Sequence, residues 1–326
     1  MGPVLFLIHI ADINEEVSNS KVASFADDTR ISKVIGSPED CDELQGDLEK
    51  VYAWVNRNNM TLNDTKFEAI RYGSHPVERI YTTGGGSNIP QKVSIKDLGV
   101  VVQSDGSFSS HIEATVMKAR RQMGWILRTF KTREPMPMLT LYKALVVPIL
   151  EYCCQLWSPS KIGDIIKIES IQRAFTSRIS GIQDINYWDR LEALSLYSLQ
   201  RRRERYAIIY VWKICMGLAP NFEREDLRLQ FYGNGTRMGR RCALPPLVRS
   251  RMGTTRDKSF VTLGPNLFNK LPKMIREFEG SLEAFKGRLG KFLEEIPDRP
   301  PLPGYRDAAE GNSLTQQISQ LRTQYL

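Results

Sequence analysis

The residues best placed to do chemistry are Asp27 and Asp28, in the stretch Phe25-Ala-Asp27-Asp28. Carboxylate oxygens are the donors that hard Mg²⁺ takes. Nucleotidyl transfer uses two divalent cations about 3.5–4 Å apart, one activating the attacking hydroxyl and one neutralising the triphosphate. Such carboxylates must be held rigidly at a tip that a substrate can reach. The flanking runs, Lys21-Val-Ala-Ser-Phe-Ala26 and Thr29-Arg-Ile-Ser-Lys-Val34, are β-prone and predict a hairpin with Asp-Asp at its turn. An Asp-Asp pair is equally at home in an ordinary polar turn, because Asp favours turn conformations. On these residues alone both readings stand.

The elements around the pair follow from periodicity. Residues 3–13 are apolar and read as a helix or a buried strand, since their period does not decide. Ser37 opens a helix, with Asp40 completing an approximate capping box. Cys41, Leu44, Leu48, Val51 and Val55 give that helix one buried face. Residues 66–72 predict a strand, Gly84-Gly-Gly86 a loop, and residues 93–102 one or two further strands. After residue 108 the pattern turns helical and basic. Ser110-His-Ile-Glu113 reads as a capping box, and Ile112, Val116, Ala119, Met123, Ile126 and Phe130 as the apolar stripe that follows. Lys118, Arg120, Arg121, Arg128 and Lys131 lie largely off that stripe. Further helices are expected over about 137–157, 163–180 and 198–216, with Pro148 kinking or starting one of them. Gly181 and Gly217 sit where C′ glycines belong. A last amphipathic helix fits residues 281–293, and the Pro-rich, polar tail from Pro297 predicts a mobile end.

Length and composition bound what these elements can build. The 326 residues are 41% hydrophobic and 25% charged, enough for about two domains with real cores and too apolar for wholesale disorder. The net charge of +8 is unevenly spread: residues 1–116 carry a net −7 and residues 117–326 a net +15. Contact with a polyanion would then fall mostly on the rear half, and a set of solvated basic helices is the equal alternative on charge alone. Residues 237–256 hold six Arg and no Lys, Asp or Glu. The five cysteines form no C-x-x-C pair, and with three His this argues against a zinc site and a disulfide framework. Val4 to Ile10 is too short an apolar run to span a membrane. Met1-Gly2 meets Phe6 where a myristoylation motif wants Ser or Thr. A soluble, intracellular protein without a membrane partner is the expectation, nucleus and cytoplasm being undistinguished.

Set in order, these motifs resemble the reverse transcriptases of LINE-type, non-LTR retrotransposons. The stretch from Gly2-Pro3 to Ile13 resembles a palm segment of that family, although Tyr-Ile-Asn-Asp is commoner there than His9-Ile10-Ala11-Asp12. Phe25-Ala-Asp27-Asp28-Thr resembles its metal-binding strand–turn–strand. Leu48 to Trp54, Asn56, Met60, Asn63 and Lys66 resemble the helix and Trp…Asn…Leu-Asn…Lys signature that follow. Ile95-Lys-Asp-Leu-Gly-Val100 resembles the primer-gripping hairpin. His111 to Phe130, Leu141-Tyr-Lys143, Pro148-Ile-Leu-Glu-Tyr152, Leu156-Trp157 and Gln172-Arg173 resemble the helical thumb and connector. Residues 187–203 and Gly264-Pro-Asn-Leu-Phe-Asn-Lys-Leu-Pro272 resemble the far C-terminal region. The likeness covers roughly residues 2–295.

The resemblance implies an α+β chain: a truncated palm over 1–107, a helical thumb and connector over 108–217, a basic, partly helical region over 218–296 and a tail over 297–326. It implies RNA-directed DNA polymerase chemistry with an RNA template, a DNA primer, dNTP and Mg²⁺. Asp27 is then a direct metal ligand and Asp28 the second carboxylate. Lys66 is a candidate proton donor to leaving pyrophosphate, or simply an exposed strand-edge lysine. Leu98 and Gly99 would form the primer grip, or Gly99 an ordinary turn. Arg201, Arg202, Arg203 and Arg205, on one helix, and Arg237, Arg240 and Arg241 would meet phosphate, or line solvated faces. The family also places a carboxylate on a strand before the Gly-Pro segment. The chain is therefore expected to be a C-terminal fragment, inactive alone, with the apolar Leu5–Ile10 face uncovered. A non-enzymatic nucleic-acid-binding remnant is the alternative.

Overall fold

The computed structural model describes residues 2–73, 77–219, 259–304 and 311–318. The chain divides into two compact units, Met1–Ser107 and Phe108–Leu326. It mixes helices with small sheets.

In the first unit the apolar start is helix α1 (Gly2–His9), continued by a 3₁₀ turn over Ala11–Glu15. Phe6, Ile10 and Ile13 pack on Val51, Trp54 and Val55, which resolves the helix-or-strand ambiguity of residues 3–13. Val4, Leu5, Leu7 and Ile8 face outward and are at least half exposed. Strands β1 (Lys21–Phe25) and β2 (Asp28–Ser32) form an antiparallel hairpin. Helix α2 (Pro38–Arg57) starts at Ser37 with the reciprocal Ser37–Asp40 capping box in place. Its buried face carries Cys41, Leu48, Val51 and Val55, joined by Trp54 at 2% exposure.

The strand expected over 66–72 is mostly absent. Asp64–Lys66 is a 3₁₀ turn, because the Asn63 side chain accepts from both the backbone N–H (3.1 Å) and the hydroxyl (2.6 Å) of Thr65. Within 66–72 only β3 (Ala69–Ile70) is paired as a strand, in parallel with β4 (Gln91–Lys92). Strands β5 (Ser94–Asp97) and β6 (Val100–Gln103) make a second antiparallel hairpin. Every described sheet has two strands. Such two-stranded pairs are marginal by themselves; Ile31 of β2 packs on the cluster of Val51, Trp54 and Val55.

The second unit is helical among its described residues. Helix α3 (Ser109–Thr129) buries Ile112, Val116, Ala119 and Ile126. The capping box expected at Ser110 is not formed: Phe108 is the cap residue, and the Ser109 hydroxyl donates instead to Asp164 at 3.0 Å. The long helix expected over 137–157 is three pieces, α4 (Pro135–Leu145), α5 (Val147–Glu151) and α6 (Cys154–Trp157). Pro148 sits in the first turn of α5, where its missing N–H costs nothing. Cys153, with φ +50°, breaks the chain before α6. Helices α7 (Ile162–Thr176) and α8 (Tyr187–Ala193) lead to α9 (Leu199–Cys215), which packs on α6, α7 and α10 (Phe260–Lys270). The short α11 (Lys273–Arg276) and α12 (Leu282–Glu294) close the unit. Trp212 on α9 stacks on Phe285 of α12 with ring centroids 4.5 Å apart, both fully buried. Each such side chain contributes roughly 1.5–3 kcal/mol of burial.

The tail from Pro297, expected to be mobile, is packed where it is described. Leu314 and Ile318 lie in the same core as Trp212. Glu204 of α9 accepts the Leu314 N–H (3.1 Å) and the Ser313 hydroxyl (3.0 Å). Asp298 accepts the Ser198 N–H (2.6 Å) and hydroxyl (2.7 Å) at the start of α9. A hydropathy reading misses this, because two apolar residues four apart suffice to dock one helical turn once buried polar partners hold the flanking backbone.

Two carboxyls, buried Glu169 and half-buried Glu204, give the second unit a pH dependence. Burial pushes the carboxyl of Glu169 up to about 7, although Tyr187 and the Leu199 N–H donate to it. Burial likewise pushes Glu204 up to about 7. A carboxyl with a raised folded pKa adds stability that is complete below the unfolded value, about 4.3, and lost as pH rises toward 7. His111, lowered by burial, acts in the opposite sense as pH falls below its usual range. The unit is therefore expected to unfold at a lower denaturant concentration at pH 8 than at pH 5.5, by up to a few kcal/mol per glutamate. Glu169→Gln with Glu204→Gln should flatten the profile. A profile that rises between those pH values would contradict the assignment.

Candidate functional site

The Asp27–Asp28 hairpin is built by close cross-strand pairing. Phe25 lies opposite Asp28, so the two turn residues are Ala26 and Asp27, and Asp28 opens β2. The Asp-Asp turn of the sequence reading is thus shifted by one residue. Ala26 has φ +53°, the left-handed conformation that two-residue hairpin turns require at their first position. A non-glycine residue there costs on the order of 1 kcal/mol. A hydroxyl contact of 3.2 Å between Ser24 and Thr29 ties the strands beside the turn. Asp27 and Asp28 are both exposed, as is Phe25 at 67%.

The second hairpin turns at Leu98 and Gly99, with φ +44° and +86°. Positive φ at both turn residues is the type I′ pattern, and Gly99 meets it without strain. An ion pair joins the two hairpins: Arg30 Nη1 lies 2.6 Å from Asp97 Oδ2. Arg30 is two residues beyond Asp28, and Asp97 directly precedes Leu98. The structure therefore links the strand that opens with Asp28 to the hairpin that carries Leu98 and Gly99. Neither partner stands out in the sequence. Their signal was two opposite charges, each on a strand next to a candidate turn.

Lys66 stands apart from this link. Its side chain is exposed and has no ion pair among the described residues. The segment that carries it is well anchored. Asp64 accepts the Tyr52 hydroxyl at 2.8 Å and the Thr83 hydroxyl at 2.7 Å. Burial and the nearby Asp64 push the Tyr52 hydroxyl up to about 12. Gly84 presses on the Tyr52 ring so closely that a Cβ would lie 2.4 Å from it, which is why the loop needs glycine there. An open cleft of about 610 Å³ runs between Tyr52, Val55, Asn56, Leu62, Asn63, Asp64 and Gly84. None of Asp27, Asp28, Lys66, Leu98 or Gly99 lines it.

Asp27 and Asp28 have the right chemistry for Mg²⁺, yet two adjacent carboxylates do not make a two-cation site. No group of three or more His, Cys, Asp or Glu gathers into a metal-binding set among the described residues.

The arginines of α9 correct the sequence reading. Arg201 is fully buried and donates to the carbonyls of Ile296 (3.2 Å) and Pro297 (2.8 Å) and to Gln317 Oε1 (2.6 Å). Arg203, 5% exposed, donates to the Leu199 and Leu150 carbonyls and lies over the Trp157 ring. Arg202 is held by Glu151 through Nε and, at 3.0 Å, through Nη2. These three guanidiniums are occupied inside the fold and do not face a phosphate. The reason is geometric: three successive residues point in three directions around a helix, and α9 is covered on each of those sides. Arg205 is half-buried. Arg237, Arg240 and Arg241 lie outside the described residues. No described helix is long and apolar enough to cross a membrane.

Comparison with known proteins finds relatives for part of the chain. The chain is 26% identical over 198 residues to the probable RNA-directed DNA polymerase from transposon X-element of Drosophila melanogaster. It is 24% identical over 192 residues to the RNA-directed DNA polymerase from mobile element jockey of Drosophila funebris, and 24% over 195 residues to that of Drosophila melanogaster. Each alignment covers 56% of this chain and 21% of the relative, so the chain matches about a fifth of the length of these polymerases. No protein-family model and no solved structure matches it. Over 56% of its length the chain is thus similar to the RNA-directed DNA polymerases of non-LTR mobile elements, the same family its motifs resemble.

Proposed function

We propose that this chain is a segment of the RNA-directed DNA polymerase of a non-LTR retrotransposon. Residues 1–107 serve as part of the palm and residues 108–217 as thumb and connector. The observation that carries this reading is the ion-paired couple of hairpins, one opening at Asp27–Asp28 and the other at Leu98–Gly99, in a chain that aligns with such polymerases. In this reading Asp27 and Asp28 contribute carboxylates to the Mg²⁺ site, and further donors come from the rest of the enzyme. Leu98 and Gly99 bring backbone close to the primer. Lys66, exposed on its anchored turn, protonates the leaving pyrophosphate. The substrates are an RNA template, a DNA primer and dNTP. Arg205, Arg237, Arg240 and Arg241 keep the phosphate-binding role.

A second reading, a non-enzymatic nucleic-acid-binding remnant, is favoured by the two-carboxylate donor set. Two preparations separate the readings: the isolated chain, and a hybrid in which its aligned segment replaces the corresponding segment of the X-element polymerase. The isolated chain is expected to give no Mg²⁺-dependent primer extension. The hybrid is expected to extend a DNA primer on an RNA template. A folded hybrid that stays inactive beside an active parent enzyme would favour the remnant.

A further inference from the structure

Helix α3 presents an outer face that the core of its own unit does not use. Between Ala114 and Arg133 the sequence has six Lys or Arg and no Asp or Glu. Five of them, Lys118, Arg120, Arg121, Arg128 and Lys131, are exposed and have no ion pair among the described residues. Arg133 alone is occupied, donating to the Leu127, Phe130 and Thr132 carbonyls at the end of the helix. Set among these cations is Trp125. It is 45% exposed, whereas Trp54, Trp157 and Trp212 are at most 2% exposed. Phe130 braces it edge-on, with ring centroids 6.0 Å apart and planes at 84°.

The spacing makes this a surface. Met117, Lys118, Arg121, Trp125 and Arg128 recur at three- and four-residue steps, so they lie along one side of the helix. From Lys118 to Arg128 that side runs about 15 Å. The buried stripe of Ile112, Val116, Ala119 and Ile126 is on the other side, which fixes the orientation.

From this arrangement we infer that the outer face of α3 binds a single-stranded nucleic acid, its phosphates on Lys118, Arg121 and Arg128 and one unpaired base stacked on Trp125. The charge selects a polyanion. The half-exposed, braced aromatic ring selects a polyanion with free flat faces, which a single strand has and a duplex keeps stacked inside. The inference does not depend on the chain belonging to an active polymerase.

The test uses the full chain, a fluorescently labelled 12-nucleotide oligo-U or oligo-dT, the matching duplex, and anionic phospholipid vesicles. Wild-type chain is expected to bind the strand with quenching of tryptophan fluorescence. Trp125→Ala is expected to weaken strand binding about 5- to 150-fold and remove most of the quenching, with little change for the duplex. Arg121→Gln with Arg128→Gln should reduce the slope of log affinity against log salt by about 1.4. Met136→Ala, at a site 75% exposed on α4, is the control expected to change nothing. Unchanged strand affinity and quenching in Trp125→Ala overturns the inference. So does Trp125-dependent binding to the vesicles without binding to the strand. Neither outcome bears on primer extension by the hybrid, so the two proposals fail separately.

Discussion

Replacing Arg201 by methionine is expected to destabilise the second unit by about 3–5 kcal/mol, the usual cost of removing one member of a buried polar network. The methionine fills similar volume, so the loss is not mainly a cavity. It comes from the carbonyl of buried Ile296, which would be left without its donor, and from the lost charge-assisted hydrogen bonds to the Pro297 carbonyl and to Gln317. The carboxylate of Glu204, which the Arg201 charge helps hold, would lose that support as well. Arg201→Lys should recover little, because an ammonium cannot fork between two carbonyls and an amide. Arg205→Ala, at a half-buried position, should cost about 1 kcal/mol or less. Chemical unfolding followed by the fluorescence of buried Trp212 reads all three. If Arg201→Met keeps wild-type stability and instead loses affinity for nucleic acid, the internal role assigned to Arg201 is wrong.

That arginine shows where the sequence was opaque. A run such as Arg201-Arg-Arg-Glu-Arg205 reads as a solvated basic face, because composition cannot reveal what covers each side of a helix. Its coverage comes from segments far along the chain, Glu151 on one side and Ile296, Pro297 and Gln317 on another. Local signals were clearer. The Ser37–Asp40 box and the buried face of α2 were legible, since capping and a 3.6-residue period are written within one element. The hairpin at Asp27 was legible to within one residue, because β-prone runs fix its existence while cross-strand register fixes its turn. The strand over 66–72 failed for the same kind of reason: the Asn63–Thr65 contact bends the chain before Lys66. The cations opposite the apolar stripe of α3 were legible, but the exposure of Trp125 among them was not, because sequence does not report how much of an aromatic ring is covered. The Arg30–Asp97 pair joins residues 67 positions apart, and no periodicity reports such a pairing.

The second large effect concerns Asp27. In the hybrid enzyme, Asp27→Ala is expected to lower RNA-templated primer extension by at least about a thousandfold. Loss of a direct carboxylate ligand removes several kcal/mol of charge stabilisation, and each 1.36 kcal/mol is tenfold in rate. Asp27 occupies the second turn position and is exposed, and no hydrogen bond or ion pair among the described residues rests on its side chain, so the fold should persist. Asp28→Ala should cost less, because Asp28 stands at the start of β2 as the second carboxylate. Lys66→Ala should cost about tenfold to a hundredfold, as loss of a general acid does. The most direct test is single-turnover extension of a DNA primer on an RNA template by the hybrid, with and without Asp27→Ala. The hybrid is expected to extend the primer in a Mg²⁺-dependent way, and Asp27→Ala is expected to abolish that extension while circular dichroism stays unchanged. Equal rates for the two proteins would contradict it.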